Sequence, residues 1–175
     1  MNETSDYIDT VQQQWARIDP TISSEPARII GRVRRLAELI QRRSNRVLDS
    51  YGISRDEFDI LALLTRTGRP MTPSQLSADL IISGPGTTKR IRKLVAAGLV
   101  TREPDPSDGR GALIRMTAKA EALILPVLRS VSDFEGELIS SLDAADREDL
   151  AVLLRRLLLD VESADPDAGT ASRTD

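Results

Sequence analysis

Residues 72–98 read TPSQLSADLIISGPGTTKRIRKLVAAG, and they carry the fold. Thr72-Pro73-Ser74-Gln75 is a helix start: a hydroxyl to cap free amides, a proline whose missing N–H costs nothing in the first turn, and a Gln three residues on to complete the box. The short helix it opens contains Leu76 and Leu80. Ser83-Gly84-Pro85-Gly86 then punctuates the chain, and a second helix over 85–97 is closed by Gly98. At about 100° per residue, Thr87, Ile91, Leu94 and Val95 share one face of that helix, while Thr88, Lys89, Arg92 and Lys93 lie on the other. Two capped helices joined by a tight, glycine-containing turn form a helix-turn-helix.

The residues that follow extend this reading. Leu99 to Arg102 and Leu113 to Met116 are strand-like and flank a polar, Gly/Pro-rich tip over 103–111. A basic hairpin placed after the second helix makes a winged helix-turn-helix. Gly84, Pro85 and Gly86 keep the helix N-terminus slim, so its free amides can approach a phosphate, and Ser83 before them joins the candidate DNA-binding set. Thr87, Thr88, Lys89, Arg92 and Lys93 complete the candidate DNA-binding set on the helix. On the wing, Arg110 stands between Gly109 and Gly111, suited to entering a minor groove, with Asp108 placed to brace it by charge.

Long helices flank this module. Tyr7, Ile8, Val11, Trp15 and Ile18 recur at helical spacing before Asp19-Pro20, and a longer helix through Ile29, Val33, Leu36 and Ile40 carries seven Arg on its other faces. Ser54-Arg55-Asp56-Glu57 is another capping box, opening a helix over 54–67 that is apolar nearly all round. After the wing, Thr117 caps a helix expected to bend near Pro126, and Asp143 caps a last one rich in Leu. The expected organisation is N-terminal dimerisation helices over 1–50, a DNA-binding domain over 51–117, C-terminal dimerisation helices over 118–162 and a disordered tail over 163–175. The fold class is mainly α with a small β-hairpin wing. The Leu-rich last helix has more apolar surface than one short neighbour covers, which points to a homodimer with two reading heads and a roughly palindromic operator.

Composition narrows the chemistry. The 175 residues contain no Cys and no His, which removes disulfides, thiolate sites, the commonest general base and the commonest metal ligand. No metal site, cofactor or catalytic residue is expected. The one enzyme reading, with Asp59 as a base, finds no second carboxylate at a convincing spacing. The net charge of −3 conceals segregation: residues 84–115 hold seven bases against three acids, whereas 133–175 hold twelve acids against four bases. A basic middle and an acidic end fit a polyanion binder whose acidic part is turned elsewhere. No stretch approaches the roughly 20 apolar residues that span a bilayer. MNETSDYIDT lacks both the positive cap and the apolar run of a signal peptide, so cytoplasmic residence is expected.

Over residues 5–162 the chain resembles the MarR family of bacterial transcription regulators. Asp108-Gly-Arg110 followed by Leu113-Ile-Arg-Met-Thr117 matches that family's wing, and Ala97-Gly-Leu-Val-Thr-Arg102 matches the exit of its recognition helix. A narrower resemblance is to the urate-responsive branch (HucR, UrtR and PecS-type regulators). It rests on Gln14-Trp15-Ala16-Arg17 in an added first helix, Glu57-Phe58-Asp59-Ile60-Leu61, and the run from Ile82 to Ile91. The resemblance implies a ligand set of Trp15, Asp59, Arg90 and Arg102. Urate or a related purine would sit between the dimer lobe and the DNA lobe and release the operator, so that the protein acts as a repressor.

These types also make chemical sense by themselves. Asp59 interrupts an apolar helix and needs a cationic or hydrogen-bonding partner. Arg90 lies on the flank of its helix, guanidinium groups suit a planar anion, and Trp15 offers a stacking face or an indole N–H. A purely structural reading stays open, with Trp15 as a core aromatic and Asp59–Arg90 as an ion pair. Other readings are a regulator answering a tricarboxylate or an aromatic acid, and a helical dimerisation adaptor that does not touch DNA.

Overall fold

The computed structural model describes residues 5–106 and 108–164, with only the backbone at 108–110. Seven helices and a two-stranded hairpin follow in order: α1 Tyr7–Ile18, α2 Glu25–Asp49, α3 Arg55–Thr67, α4 Pro73–Asp79, α5 Gly84–Ala96, β1 Val100–Asp105, β2 Asp108–Met116, α6 Ala118–Leu138 and α7 Ala144–Ala164. The chain forms two compact units, residues 1–46 and 47–175.

In the first unit α1 lies along the start of α2. Asp6 caps α1 by accepting from the Ile8 and Asp9 amides, and Asp9 completes the box. Arg32 of α2 holds both carboxylates, at 2.7 Å from Asp6 and 2.6 Å from Asp9. The guanidinium of Arg35 stacks on the Tyr7 ring at 3.9 Å. Gly31 lets the helices approach, since a Cβ there would lie 3.2 Å from Cδ1 of Ile8. Five large apolar side chains of α2, among them Ile29, Val33 and Leu36, remain exposed.

The second unit is built around α3. Phe58, Ile60, Leu61, Leu63 and Leu64 are buried, so the helix is wrapped on most sides, as its apolar sequence requires. Its core is completed by Leu76, Ile91, Leu94, Leu99, Ile114, Ile124 and Val127. The capping boxes at Ser54/Glu57 and Thr72/Gln75 both form, and Gly98 takes φ +68° beyond the end of α5. Thr117 caps α6, and its hydroxyl also donates to the Gly98 carbonyl at 2.8 Å, tying the wing exit to the helix start.

The structure departs from the sequence reading in three places. The hairpin is longer than its apolar stretches: pairing runs from Val100↔Met116 through Pro104↔Ala112 to Asp105↔Asp108, with a register shift after Pro104. A two-stranded ribbon has only edges, so Pro104 is tolerated there, and Arg115 with Glu103 adds a cross-strand ion pair at 3.2 Å. Helix α7 continues through Ser163 and Ala164, where disorder was expected to begin; the rest of that tail, 165–175, lies outside the described residues. Val95, expected on the apolar face of α5, is exposed. Among the described residues no helix is long and apolar enough to cross a membrane.

Candidate functional site

Helix α5 presents the candidate nucleic-acid face. Ser83 caps it by accepting from the Gly86 amide at 3.3 Å. Glycine at 86 serves this cap, because a Cβ there would meet the Ser83 hydroxyl at 3.1 Å. Ser83, Gly84, Pro85, Thr88, Lys89, Arg92 and Lys93 are all exposed. Lys89 and Arg92 form no ion pair among the described residues, so their charge is available to a polyanion. Lys93 is drawn toward α3, 3.6 Å from Glu57.

Thr87 is a correction to the candidate DNA-binding set. It is 1% exposed; its hydroxyl lies 2.8 Å from that of Ser77 and donates to the Ser83 carbonyl at 3.2 Å. It faces α4 with Ile91 and Leu94, as its place on the wheel dictates, and fixes the two helices of the motif together. The side chains of Asp108 and Arg110, assigned to the wing tip, lie outside the described residues; β2 does carry their backbone.

Helix α3 supplies the charged partners of Asp59 and Arg90. Asp59 accepts from Nε of Arg55 at 2.8 Å, one turn earlier on the same helix, and Nη1 of Arg55 reaches Glu135 of α6 at 2.9 Å. Burial pushes the Asp59 carboxyl above its ordinary value of 3.8, against the pull of Arg55. Arg90 pairs with Asp56 at 2.9 Å. In place of the Asp59–Arg90 ion pair of the structural alternative, two other pairs form, and Arg90 acts on Asp59 only through space. The reason is geometric: an Arg at i−4 reaches Asp59 within one helix, and Asp56, a turn away, faces α5.

Arg102 stands exposed on β1, opposite Ile114. Trp15, on α1 in the first unit, is 52% exposed.

Beside Asp59, between α3 and α6, lies an open cavity of about 330 Å³. Arg55, Asp59, Arg66, Ser132 and Glu135 give it polar lining, and Phe58, Ala62, Leu63, Leu80, Leu128 and Val131 give it apolar walls. Neither Arg90 nor Arg102 lines it. Arg55 and Glu135 were missed by sequence reasoning. The i, i+4 spacing of Arg55 and Asp59 was a usable signal, whereas nothing local pointed to Glu135, 80 residues away.

The MarR family model matches residues 51–111, which span α3 to the hairpin. The HTH-type transcriptional regulator PecS of Dickeya dadantii is 34% identical over 157 residues, covering 89% of this chain and 92% of that protein. A mutant MarR of E. coli complexed with operator DNA superposes with a TM-score of 0.70 at 26% identity, covering 77% of this chain and 96% of that one. A MarR transcriptional regulator of Methanosarcina mazei gives 0.71 at 26% identity, covering 79% and 99%.

Proposed function

The chain belongs to the MarR family of transcriptional regulators, and from that premise we propose a dimeric repressor that grips a roughly palindromic operator and releases it on binding a small anion. The observation that carries DNA binding is α5 itself: a capped, glycine-fronted helix with Thr88, Lys89 and Arg92 outward and its other face locked to α4 and α3. Its resemblance to a MarR structure that holds operator DNA supports the same reading. Two copies related by a two-fold axis place their α5 helices about 34–36 Å apart, one turn of DNA. The exposed apolar side chains of α2 and α7 support the dimer. The proposed residence is the cytoplasm, where such a regulator reaches its DNA.

The ligand is assigned to urate or a related purine, with Trp15, Asp59, Arg90 and Arg102 as its contacts. Support comes from Arg90, which belongs to the DNA-reading helix and is held by Asp56. An anion that takes its guanidinium acts on α5 directly, and only a ligand with different affinity for the bound and released states shifts the equilibrium. A tricarboxylate or an aromatic acid is the second reading, favoured by the guanidinium at the α3–α6 cavity.

Mobility shift with the DNA upstream of the protein's own gene tests the proposal. Affinity should fall by about 0.9 in log K per log salt for each phosphate neutralised, and urate should dissociate the complex. A salt-insensitive complex, or none, leaves an adaptor role for the helices.

A further inference from the structure

We propose that Lys119 is a positioning residue for DNA recognition: it pins the C-terminal end of α5 to the start of α6 and so sets the angle between the reading helix and the wing. The proposal rests on the DNA-binding reading above and adds to it a residue that has no need to touch DNA.

The end of α5 leaves carbonyls to be satisfied. Gly98, at φ +68°, turns the chain so that its own amide returns to the Val95 carbonyl and the Leu99 amide to the Leu94 carbonyl, both at 2.9 Å. The carbonyls of Ala97, Gly98 and Leu99 lie beyond that closure. Two side chains at the start of α6 take all three. The Thr117 hydroxyl donates to Gly98 at 2.8 Å and to Leu99 at 3.2 Å, and Nζ of Lys119 donates to Ala97 at 2.7 Å.

The charge of Lys119 points to the same role. It is the second residue of α6, where a positive group opposes that helix's own dipole. No carboxylate among the described residues pairs with it. What favours a cation at this place is the negative end of α5, which its ammonium meets through the Ala97 carbonyl. The side chain is exposed, so water can take over that carbonyl when the ammonium is removed, and the fold does not depend on it.

The shortest polar ties of α5 to its neighbours act nearer its start: Thr87 to Ser77 of α4 at 2.8 Å, and Arg90 to Asp56 of α3 at 2.9 Å. They fix the reading face and leave the joint where the wing departs. That joint is held on the β2 side by the bridge between Met71 and Ile114, and on the β1 side by Thr117 and Lys119. From Val100 to Asp105 the arm is about 17 Å long at about 3.3 Å per residue, so a swing of about 4° at its root moves its far end by about 1 Å. Recognition needs its groups held to about 0.5 Å. Loosening the joint therefore costs the register between helix and wing while leaving the phosphate contacts of Lys89 and Arg92 in place.

The test uses the full-length protein in mobility shifts on the DNA upstream of its own gene and on a shuffled duplex of the same composition. Lys119→Met keeps the stem and removes the donor. It should weaken the upstream DNA about fivefold, the low end of what one lost base-pair contact costs, with the shuffled DNA and the salt slope unchanged. Hydroxyl-radical footprints should show minor-groove cleavage returning where the wild type protects. Lys119→Gln, neutral and shorter, should match Lys119→Met, and Lys119→Arg, which restores an N–H and the charge, should recover the discrimination. Circular dichroism melting verifies that each variant is folded. Equal losses on both DNAs with a salt slope reduced by about 0.9 would make Lys119 a phosphate contact instead. That result, unchanged discrimination in Lys119→Met, or no recovery in Lys119→Arg overturns the proposal and leaves the DNA-binding reading standing. If the wild type binds neither DNA, or both alike, the sequence-reading role falls first and the proposal with it.

Discussion

Replacing Thr87 by Val separates two roles that one position on the recognition helix can have. Val keeps the shape and burial of the side chain but removes a hydroxyl that donates to the Ser83 carbonyl at 3.2 Å and lies 2.8 Å from the Ser77 hydroxyl. Each such hydrogen bond contributes about 0.5–1.5 kcal/mol net. Ser77 is only partly buried, so water relieves some of what it loses, and the expected cost of Thr87→Val is about 1–2 kcal/mol. Ser77→Ala should cost about 1 kcal/mol. The double variant should be little worse than Thr87→Val alone, which corresponds to a coupling energy near 1 kcal/mol in the cycle. Urea unfolding of the four proteins at one fixed protein concentration gives these values. At a temperature where all are folded, Thr87→Val should hold DNA far better than Lys89→Ala, because its side chain faces α4. Additive single effects would refute the hydroxyl pair. A loss of DNA affinity in Thr87→Val matching that of Lys89→Ala would refute the orientation of α5.

Three further outcomes are expected. Arg92→Ala should lower DNA affinity on all sequences and reduce the salt slope by about 0.9, one phosphate contact, in mobility shifts over a salt series. Ile81, at the turn between α4 and α5, has φ +52° and is 77% exposed. Ile81→Asn puts a residue that tolerates this conformation there, and should raise stability by roughly 0.5–1 kcal/mol in urea unfolding; a loss would show that the strain is not local. The third concerns pH. Burial raises the Asp59 carboxyl above 3.8, so the folded state binds this proton more tightly than the unfolded one. The contribution of Asp59 to stability is therefore greatest below the unfolded value and declines as pH rises through the folded one. The stability of Asp59→Asn relative to the wild type should improve between pH 4 and pH 7, measured by denaturation at each pH; an unchanged or opposite trend contradicts the assignment.

What the sequence made legible was local. Capping boxes are written within four residues, and Ser54/Glu57 and Thr72/Gln75 formed as read, as did the Thr117 cap. The α5 wheel was also legible: it already set Thr87 with Ile91 and Leu94, so the burial of Thr87 follows from periodicity and its place among DNA contacts did not. The choice of ion-pair partners was much less visible. Asp59 was rightly read as needing a cation, but two Arg were within reach, and only three-dimensional placement shows Arg55 on Asp59 and Arg90 on Asp56. Glu135 shares no local pattern with Arg55. Cross-strand support from Glu103 and Arg115 extends the hairpin beyond its apolar stretches, and a search for alternating hydrophobicity passes over such a pair.

Helix α7 spans 21 residues and buries none of them. Most helical stability in proteins comes from packing an apolar face, and α7 instead displays Leu150, Leu153, Leu154 and Leu158 to solvent. Cover for that face from a second copy depends on protein concentration. A copy without a mate should then be cut first within α7 by a protease, and limited proteolysis across a dilution series should show that cleavage rising as the protein is diluted.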